Sequence, residues 1–117
     1  MESVSRVVLC RHGVTDFTAT GKWDGRGGSN PDLNDTGRAQ ASELARRAAE
    51  FLSNQPVTAV FSSTLSRAKQ TAQPVAEALG IEPSTDPAWD ELAFGDWDGK
   101  SGKELHKTDP DSVIRFW

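Results

Sequence analysis

The sequence predicts an α/β fold with a mostly parallel sheet, in a single domain of 117 residues. Three consecutive segments carry this prediction: an apolar run at 7–10, a helical pattern over 41–52 and a second apolar run at 57–61. A strand, a helix and a strand in this order form a βαβ unit, in which the two strands are parallel and the connection is right-handed. The carboxyl ends of both strands then meet at one edge of the sheet, where ligands of open α/β sheets bind.

The first predicted strand, residues 7–10, consists of four apolar residues, which is the pattern of a strand buried on both faces. It ends with Cys10, which is predicted to pack there as a small apolar residue. Arg11, His12 and Gly13 follow directly. An arginine can bind an oxyanion, a histidine can act as base or nucleophile, and a glycine lets a ligand approach the backbone. We therefore expect a site at this end of the strand.

Residues 13–33 have neither a helical nor a strand period and predict a long loop that packs down through Phe17 and Trp23. Asn34 then begins a polar segment typical of a helix start. The helix that follows is predicted from apolar residues that share one face. These are Ala41, Leu44, Ala45, Ala48, Phe51 and Leu52.

The second strand, residues 57–61, is followed by a helix that carries the next charged candidate. Ser63 or Thr64 is expected to cap this helix, and Gly80 is predicted to end it. A proline at position 74 predicts a kink or two short helices. Arg67 lies in the first turn, beside the crevice, where the helix N-terminus also favours anions.

The remainder is predicted to be less regular. Residues 81–100 contain large aromatic residues among carboxylates that include Glu91, and short helices are expected at 101–107 and from 111 onward. Residues 113–117 are largely apolar, so we expect a partner or a second copy of the chain to cover them.

Composition narrows the function. The net charge is −4 with no basic run, which gives no case for nucleic acid or an anionic membrane surface. No apolar run is long enough to span a membrane and no signal-peptide core is present, so the expected location is cytoplasmic. One cysteine and two histidines give no zinc-ligand spacing, and we expect no metal.

The charged residues at the predicted sheet edge suit phosphoryl transfer. Arg11 and Arg67 can hold the oxygens of a transferring phosphoryl group. Their charges also disfavour a protonated His12, and a nucleophilic histidine must be neutral. Glu91, in a partly apolar loop, can deliver a proton to a leaving oxygen.

Four segments of the chain carry a resemblance to a known family: 9–15, 33–41, 62–72 and 90–99. The first reads Leu-Cys-Arg-His-Gly-Val-Thr, and the last reads Asp-Glu-Leu-Ala-Phe-Gly-Asp-Trp-Asp-Gly. In their order and spacing the sequence resembles the histidine phosphatase superfamily, also called phosphoglycerate-mutase-like. The four segments cover nearly the whole chain. The resemblance implies a three-layer α/β/α fold with a mostly parallel sheet.

The resemblance also implies roles for individual residues. His12 is expected to attack phosphorus and become a phosphohistidine, with Glu91 as the proton donor to the leaving alcohol. Arg11 and Arg67 are expected to hold the phosphoryl group. The phosphate site is expected to include Gly13 and Thr18 as well.

A substrate loop is expected around Trp23 and Gly25, and no cofactor is implied. Two departures from the family pattern bear on function. Phe17-Thr18 stands where phosphoglycerate mutases carry Trp-Asn, which favours a phosphatase over a mutase. The family's second catalytic histidine has no counterpart, because His106 has no strand before it and no glycine after it, and is predicted to be a solvated helix residue. We therefore expect the N-terminal part of such a domain, without its C-terminal strands.

Three functions remain open at this point. The first is a phosphomonoesterase that acts on a small phosphorylated substrate through a phosphohistidine. The second is a truncated or inactive domain that binds phosphate or a partner without turnover. A mutase of the phosphoglycerate type is a minor third.

Overall fold

The computed structural model describes residues 6–93, 98–108 and 110–111. It contains four helices and a short sheet within these ranges: α1 (Asp16–Ala19), α2 (Asp35–Phe51), β1 (Phe61–Ser62), α3 (Ser66–Leu79), β2 (Ser84–Thr85) and α4 (Gly102–Thr108). A single turn of 3-10 helix spans Pro87–Trp89. The predictions for Phe94, Trp97, the helix after 111 and the apolar segment 113–117 lie outside the described residues.

The two long helices pack against each other and form the centre of the molecule. Asn34 caps α2 by accepting a hydrogen bond from Gly37 N at 2.9 Å, as its position predicts. The buried apolar side chains come from both helices and from the segments that cross them. They are Leu33, Ala41, Ala45, Leu65, Ala76 and Leu105. Phe51, predicted on the apolar face of α2, is the last residue of the helix and is exposed.

The sheet is smaller than the sequence pattern predicts. Of the predicted strand 57–61 only Phe61 is in a strand, and β1 pairs in parallel with β2 rather than with residues 7–10. Val7, Val8 and Leu9 are extended and 79, 55 and 81% exposed, and Cys10 is exposed as well. The predictions of two buried, mutually parallel strands are therefore wrong for these segments. A central parallel strand needs hydrogen-bonded neighbours on both sides, and no strand within the described ranges lies beside residues 7–10.

The second long helix differs from its prediction at one end and in its middle. Leu65 is the residue before α3 and makes no side-chain cap, so neither Ser63 nor Thr64 caps it. Pro74 lies inside a continuous helix, so the prediction of two short helices is wrong, and the predicted kink stays a prediction. Gly80 ends it with φ of 68°, a left-handed conformation that glycine adopts without strain, as predicted.

The segments predicted as loops contain three short elements that sequence patterns did not indicate: α1, β2 and the 3-10 turn at Pro87–Trp89. Thr15 and Thr18 form a reciprocal capping box, which starts the four-residue helix α1 inside the predicted loop. β2 forms within the predicted irregular segment because it pairs with β1. Helix α4 occurs where it was predicted, and His106 is exposed on it. No helix in the described ranges has the length and apolar character needed to cross a membrane.

Candidate active site: a cleft around His12

A cleft of about 570 Å³ opens beside the segment that follows residues 7–10. Six of the residues predicted from sequence line it: Arg11, His12, Thr18, Trp23, Arg67 and Glu91. Gly13 lines an adjoining cleft of about 350 Å³, whose wall also includes Arg11 and His12. Gly25 lines neither cleft; it is buried behind the wall, where its N–H donates to Asp98 Oδ1 at 3.0 Å. The predicted residues are thus brought together even though the predicted strands are not paired.

His12 is half-buried at the base of the cleft, and its ring is oriented by the backbone. Nδ1 lies 2.7 Å from the carbonyl oxygen of Gly13. A carbonyl oxygen only accepts hydrogen bonds, so Nδ1 carries the proton in this contact. In the neutral ring Nε2 therefore has a free lone pair. The geometry thus identifies Nε2 as the atom able to act as a nucleophile or base.

The environment of His12 also favours the neutral ring. Burial is the main cause that lowers the pKa of His12 below 6.5, and the positive charges of Arg67 and Arg11 lower it further. The hydrogen bond to Gly13 O and the charge of Glu91 act in the opposite direction and are outweighed. At neutral pH the imidazole is accordingly uncharged.

The loop that carries His12 is fixed by contacts with both long helices. Gly13 N donates to Thr71 Oγ1 of α3 at 2.9 Å, and Thr71 Oγ1 donates to Arg67 O at 2.8 Å. On the other side Gly13 contacts Gly37 of α2 so closely that a Cβ on Gly13 would lie 2.6 Å from Gly37 O. A Cβ on Gly37 would in turn collide with Val14 O. Two glycines therefore allow the backbone beside His12 to sit against α2.

The two arginines of the cleft differ in their surroundings. Arg67 is buried and forms an ion pair with Asp24, with Nη1 3.2 Å from Asp24 Oδ2. Its Nη2 donates to Asp24 O at 2.8 Å. Arg11 is exposed at the mouth of both clefts and makes no ion pair with any residue that the structure describes. An incoming anion would therefore contact the guanidinium group of Arg67, which Asp24 holds, and that of Arg11, which makes no ion pair in the described part of the chain.

Thr18 faces both clefts, but its hydroxyl is already engaged. The oxygen accepts a hydrogen bond from Thr15 N at 3.0 Å and lies 2.8 Å from Thr15 Oγ1. These contacts belong to the cap of α1.

Glu91 is exposed at the rim, in a segment that other residues anchor. Its carbonyl oxygen accepts from Arg26 N at 3.1 Å. The neighbouring Asp90 accepts hydrogen bonds from the hydroxyl of Thr64 and from Thr64 N, the latter at 2.7 Å. These two hydrogen bonds lower the pKa of Asp90. The carboxylate of Asp90 also lies 3.6 Å from Arg26 Nε. The segment is thereby tied both to the start of α3 and to the loop that contains Asp24.

Asp24 and Asp90 were not among the residues singled out from sequence. Asp24 is a lone aspartate in a glycine-rich loop, and Asp90 is one of several carboxylates in its segment. No local pattern distinguishes an aspartate that pairs with a buried arginine across 43 positions. In the part of the chain that the structure describes, no group of three or more His, Cys, Asp or Glu side chains could hold a metal ion.

Comparison with known proteins identifies the family to which this chain is similar. The family profile described as "Histidine phosphatase superfamily (branch 1)" matches residues 7–117. The chain is 37% identical over 117 residues to the bifunctional protein Rv2228c of Mycobacterium tuberculosis, covering 97% of this chain and 29% of that one. It is 35% identical over 113 residues to glucosyl-3-phosphoglycerate phosphatase of Mycolicibacterium vanbaalenii, covering 97% of this chain and 48% of the relative.

Solved structures give the same result for the fold. A mycobacterial glucosyl-3-phosphoglycerate phosphatase solved with VO3 superposes with a TM-score of 0.76 at 28% identity, covering 90% of this chain and 49% of that one. The chain thus spans about half the length of this phosphatase, and 29% and 48% of the two curated relatives named above. These neighbours confirm the predicted α/β class, in a form whose sheet is incomplete within the described residues. The chain belongs to the histidine phosphatase superfamily, branch 1.

Proposed function

We propose that this chain carries the nucleophile and the phosphate-holding arginines of a phosphomonoesterase that acts through a phosphohistidine on His12. The observation that supports this most directly is the hydrogen bond from His12 Nδ1 to Gly13 O, because it leaves Nε2 free in the arginine-lined cleft. Relatives named for glucosyl-3-phosphoglycerate and for phosphoserine support a small phosphomonoester as the substrate.

In the first step of the proposed reaction, the Nε2 lone pair of His12 forms a bond to phosphorus while the bond from phosphorus to the leaving oxygen breaks. Arg11 and Arg67 hold the phosphoryl oxygens, with Gly13 and Thr18 completing the pocket. Glu91 in its protonated form gives its proton to the leaving alcohol.

In the second step, a water molecule attacks phosphorus and the bond from phosphorus to Nε2 breaks. Glu91, now a carboxylate, takes the proton of that water. Inorganic phosphate leaves, and His12 returns to its neutral form. The loop with Trp23 and Gly25 contacts the alcohol part of the substrate.

Turnover of p-nitrophenyl phosphate tests the role of His12. We expect release of nitrophenol by the wild type and by His106→Ala, which replaces the other, exposed histidine. His12→Ala is expected to reduce the rate by at least a factor of about 1000. Equal rates for His12→Ala and the wild type would contradict the proposal.

Glu91→Gln tests the proton donor. General acid catalysis contributes about 100- to 10,000-fold, and it matters most when the leaving oxygen is basic. We therefore expect a larger loss for an alkyl phosphate than for p-nitrophenyl phosphate, whose leaving group needs little protonation. Equal losses on both substrates would exclude Glu91 as the donor.

A second candidate function is a domain that binds phosphorylated ligands without turnover. It is favoured by one observation: residues 7–9, which lead into the site, are exposed and unpaired in the described part of the chain. Catalysis needs a more rigid site than binding does. Phosphate binding without nitrophenol release from the folded wild type would support this alternative. Cytoplasmic location, a second copy or partner as a cover, and a mutase activity stay predictions.

A further inference from the structure

Asp24 is the residue that contacts the buried arginine of the cleft. Its side chain is 3% exposed and that of Arg67 7%. Oδ2 of Asp24 lies 3.2 Å from Arg67 Nη1, and the carbonyl oxygen of Asp24 accepts from Nη2 at 2.8 Å. One residue thus holds both terminal nitrogens of the guanidinium group.

The carboxylate of Asp24 is itself fixed by the loop that follows it. Oδ1 accepts from Ser29 N at 2.8 Å, and Oδ2 accepts from Asn30 N at 3.1 Å. Both carboxylate oxygens are therefore held by backbone N–H groups, and Oδ2 contacts Arg67 as well. Asp24 oriented in this way orients its partner, because two contacts, one from Oδ2 and one from the backbone carbonyl, leave the guanidinium plane little freedom to rotate.

The pairing still leaves Arg67 able to bind an anion. A guanidinium group has five N–H donors, and the two contacts with Asp24 use one on each terminal nitrogen. The Nε–H and one N–H on each terminal nitrogen remain to bind a ligand. A buried arginine held in one orientation loses no further side-chain freedom when a ligand arrives, which favours binding.

We infer that Asp24 is a positioning residue that fixes the Arg67 guanidinium for oxyanion binding before the substrate enters. The inference rests on the proposed function, since it assigns Arg67 to the phosphoryl group. Asp24 also lines the cleft, and in the inferred role it acts through Arg67 rather than on the reacting atoms.

Asp98 provides a matched control, because it anchors the same loop without contacting Arg67. Its Oδ1 accepts a hydrogen bond at 3.0 Å from the backbone N–H of Gly25, the residue that follows Asp24. If Asp24 served only to hold the loop, replacing either aspartate would have a similar effect. If it acts through Arg67, only the replacement of Asp24 affects anion binding strongly.

The test is the affinity of the folded chain for inorganic phosphate, measured by calorimetry. Asp24→Asn keeps the shape but loses the charge, and we expect it to weaken binding at least tenfold. Asp98→Asn is expected to weaken binding less than threefold. Arg67→Lys should also weaken binding, since lysine cannot form the same forked contacts. In the Arg67→Lys background, Asp24→Asn should cause no further loss.

Three results would overturn the inference: unchanged affinity in Asp24→Asn, equal losses in Asp24→Asn and Asp98→Asn, or independent losses in the double variant. Failure of the wild type to bind phosphate would also overturn it. The outcome is separate from that of the proposed function. Phosphate binding with the expected pattern, but no phosphohistidine on His12, would leave the positioning role standing and reject the phosphatase mechanism.

A measurement on the unmodified chain covers the case in which Asp24→Asn does not fold. In the ligand-free protein, the Nη signals of Arg67 in a nitrogen NMR spectrum should be separate, because Asp24 slows rotation of the guanidinium group. Arg67→Lys assigns the signals. A single averaged Nη signal would show that Arg67 is not held and would overturn the inference.

Discussion

The proton position on His12 determines what the cleft can do at the scale of single residues. The contact between Nδ1 and Gly13 O directs the free lone pair to Nε2, and burial together with two arginines favours the uncharged ring. A histidine that is uncharged and oriented at neutral pH can attack phosphorus without first losing a proton. In the proposed reaction the charge of Arg11 and Arg67 thus has two effects: it attracts an anionic substrate and favours the neutral form of His12.

The pKa of His12 gives a test with a defined sign. The imidazole is reactive above its pKa, so a lowered pKa extends activity toward lower pH. Arg11→Gln removes one positive charge that lowers this pKa, so the pKa of His12 should rise and the acidic limb of the pH–rate profile should move to higher pH. Proton NMR titration of the wild type and Arg11→Gln, with His12→Ala to assign the signal, measures the shift directly. A pKa that falls in Arg11→Gln would contradict this electrostatic account.

Residue types at the site were predictable from sequence, but their partners were not. Arg11, His12, Arg67 and Glu91 all line the cleft as expected. The ion pair between Asp24 and Arg67 depends on how a loop folds back on α3, and a linear pattern carries no information about this distance. Gly25, predicted in the substrate loop, lines neither cleft; it is buried and its N–H donates to Asp98 Oδ1.

At the scale of elements, the approach of the His12 loop to α2 depends on paired glycines. Gly37 lies in the first turn of α2 and would collide with Val14 O if it carried a Cβ. Gly13, the residue before Val14, also lies in close contact with the backbone of Gly37. The position of the His12 loop against α2 therefore depends on Gly37, which lines neither cleft.

Gly37→Ala is expected to destabilise the protein, although alanine usually stabilises a helix relative to glycine by about 1 kcal/mol. Overpacking typically costs about 1–3 kcal/mol, and the collision with backbone atoms of Val14 puts this site at the upper end. After the gain in helix propensity is subtracted, we expect the free energy of unfolding to fall by about 2 kcal/mol in urea denaturation. Thr36→Ala, at an exposed position of the same turn, should change it by less than about 0.5 kcal/mol. A Gly37→Ala chain as stable as the wild type would show that the backbone is not packed so closely.

Helices were better predicted than strands because the two depend on different partners. The spacing of apolar residues and the cap at Asn34 are local, and α2 begins where they indicate. Strand length depends on the neighbouring strand, which the segment's own sequence does not specify. The pattern at 57–61 therefore overestimated β1, and the polar pair that forms β2 was missed.

At the scale of the whole molecule, the main feature is an exposed apolar segment leading into the site. Val7, Val8 and Leu9 have the composition of a buried strand but lie open to solvent in the described structure. The chain matches about half the length of solved relatives with the same fold. The sequence pattern of residues 7–10 predicts a buried strand, but it could not show which residues would pair with it.

Substitution of Leu9 tests this exposure. Leu9 is 81% exposed, so Leu9→Ala should change the free energy of unfolding of this chain by less than about 0.5 kcal/mol. Leu33→Ala is the matched change at a buried position, 4% exposed, where loss of a leucine typically costs about 2–5 kcal/mol. Urea denaturation of both variants measures the difference. Similar losses at the two positions would mean that residues 7–10 are packed in solution.

The central claim is that His12 is the nucleophile, and intact mass spectrometry tests it most directly. The chain is exposed briefly to p-nitrophenyl phosphate and its mass is measured at neutral pH beside that of His12→Ala and His106→Ala. We predict one added phosphoryl group on the wild type and on His106→Ala, and none on His12→Ala. A folded wild type that never acquires the group and releases no nitrophenol, or a His12→Ala chain that still acquires the group, would contradict the account.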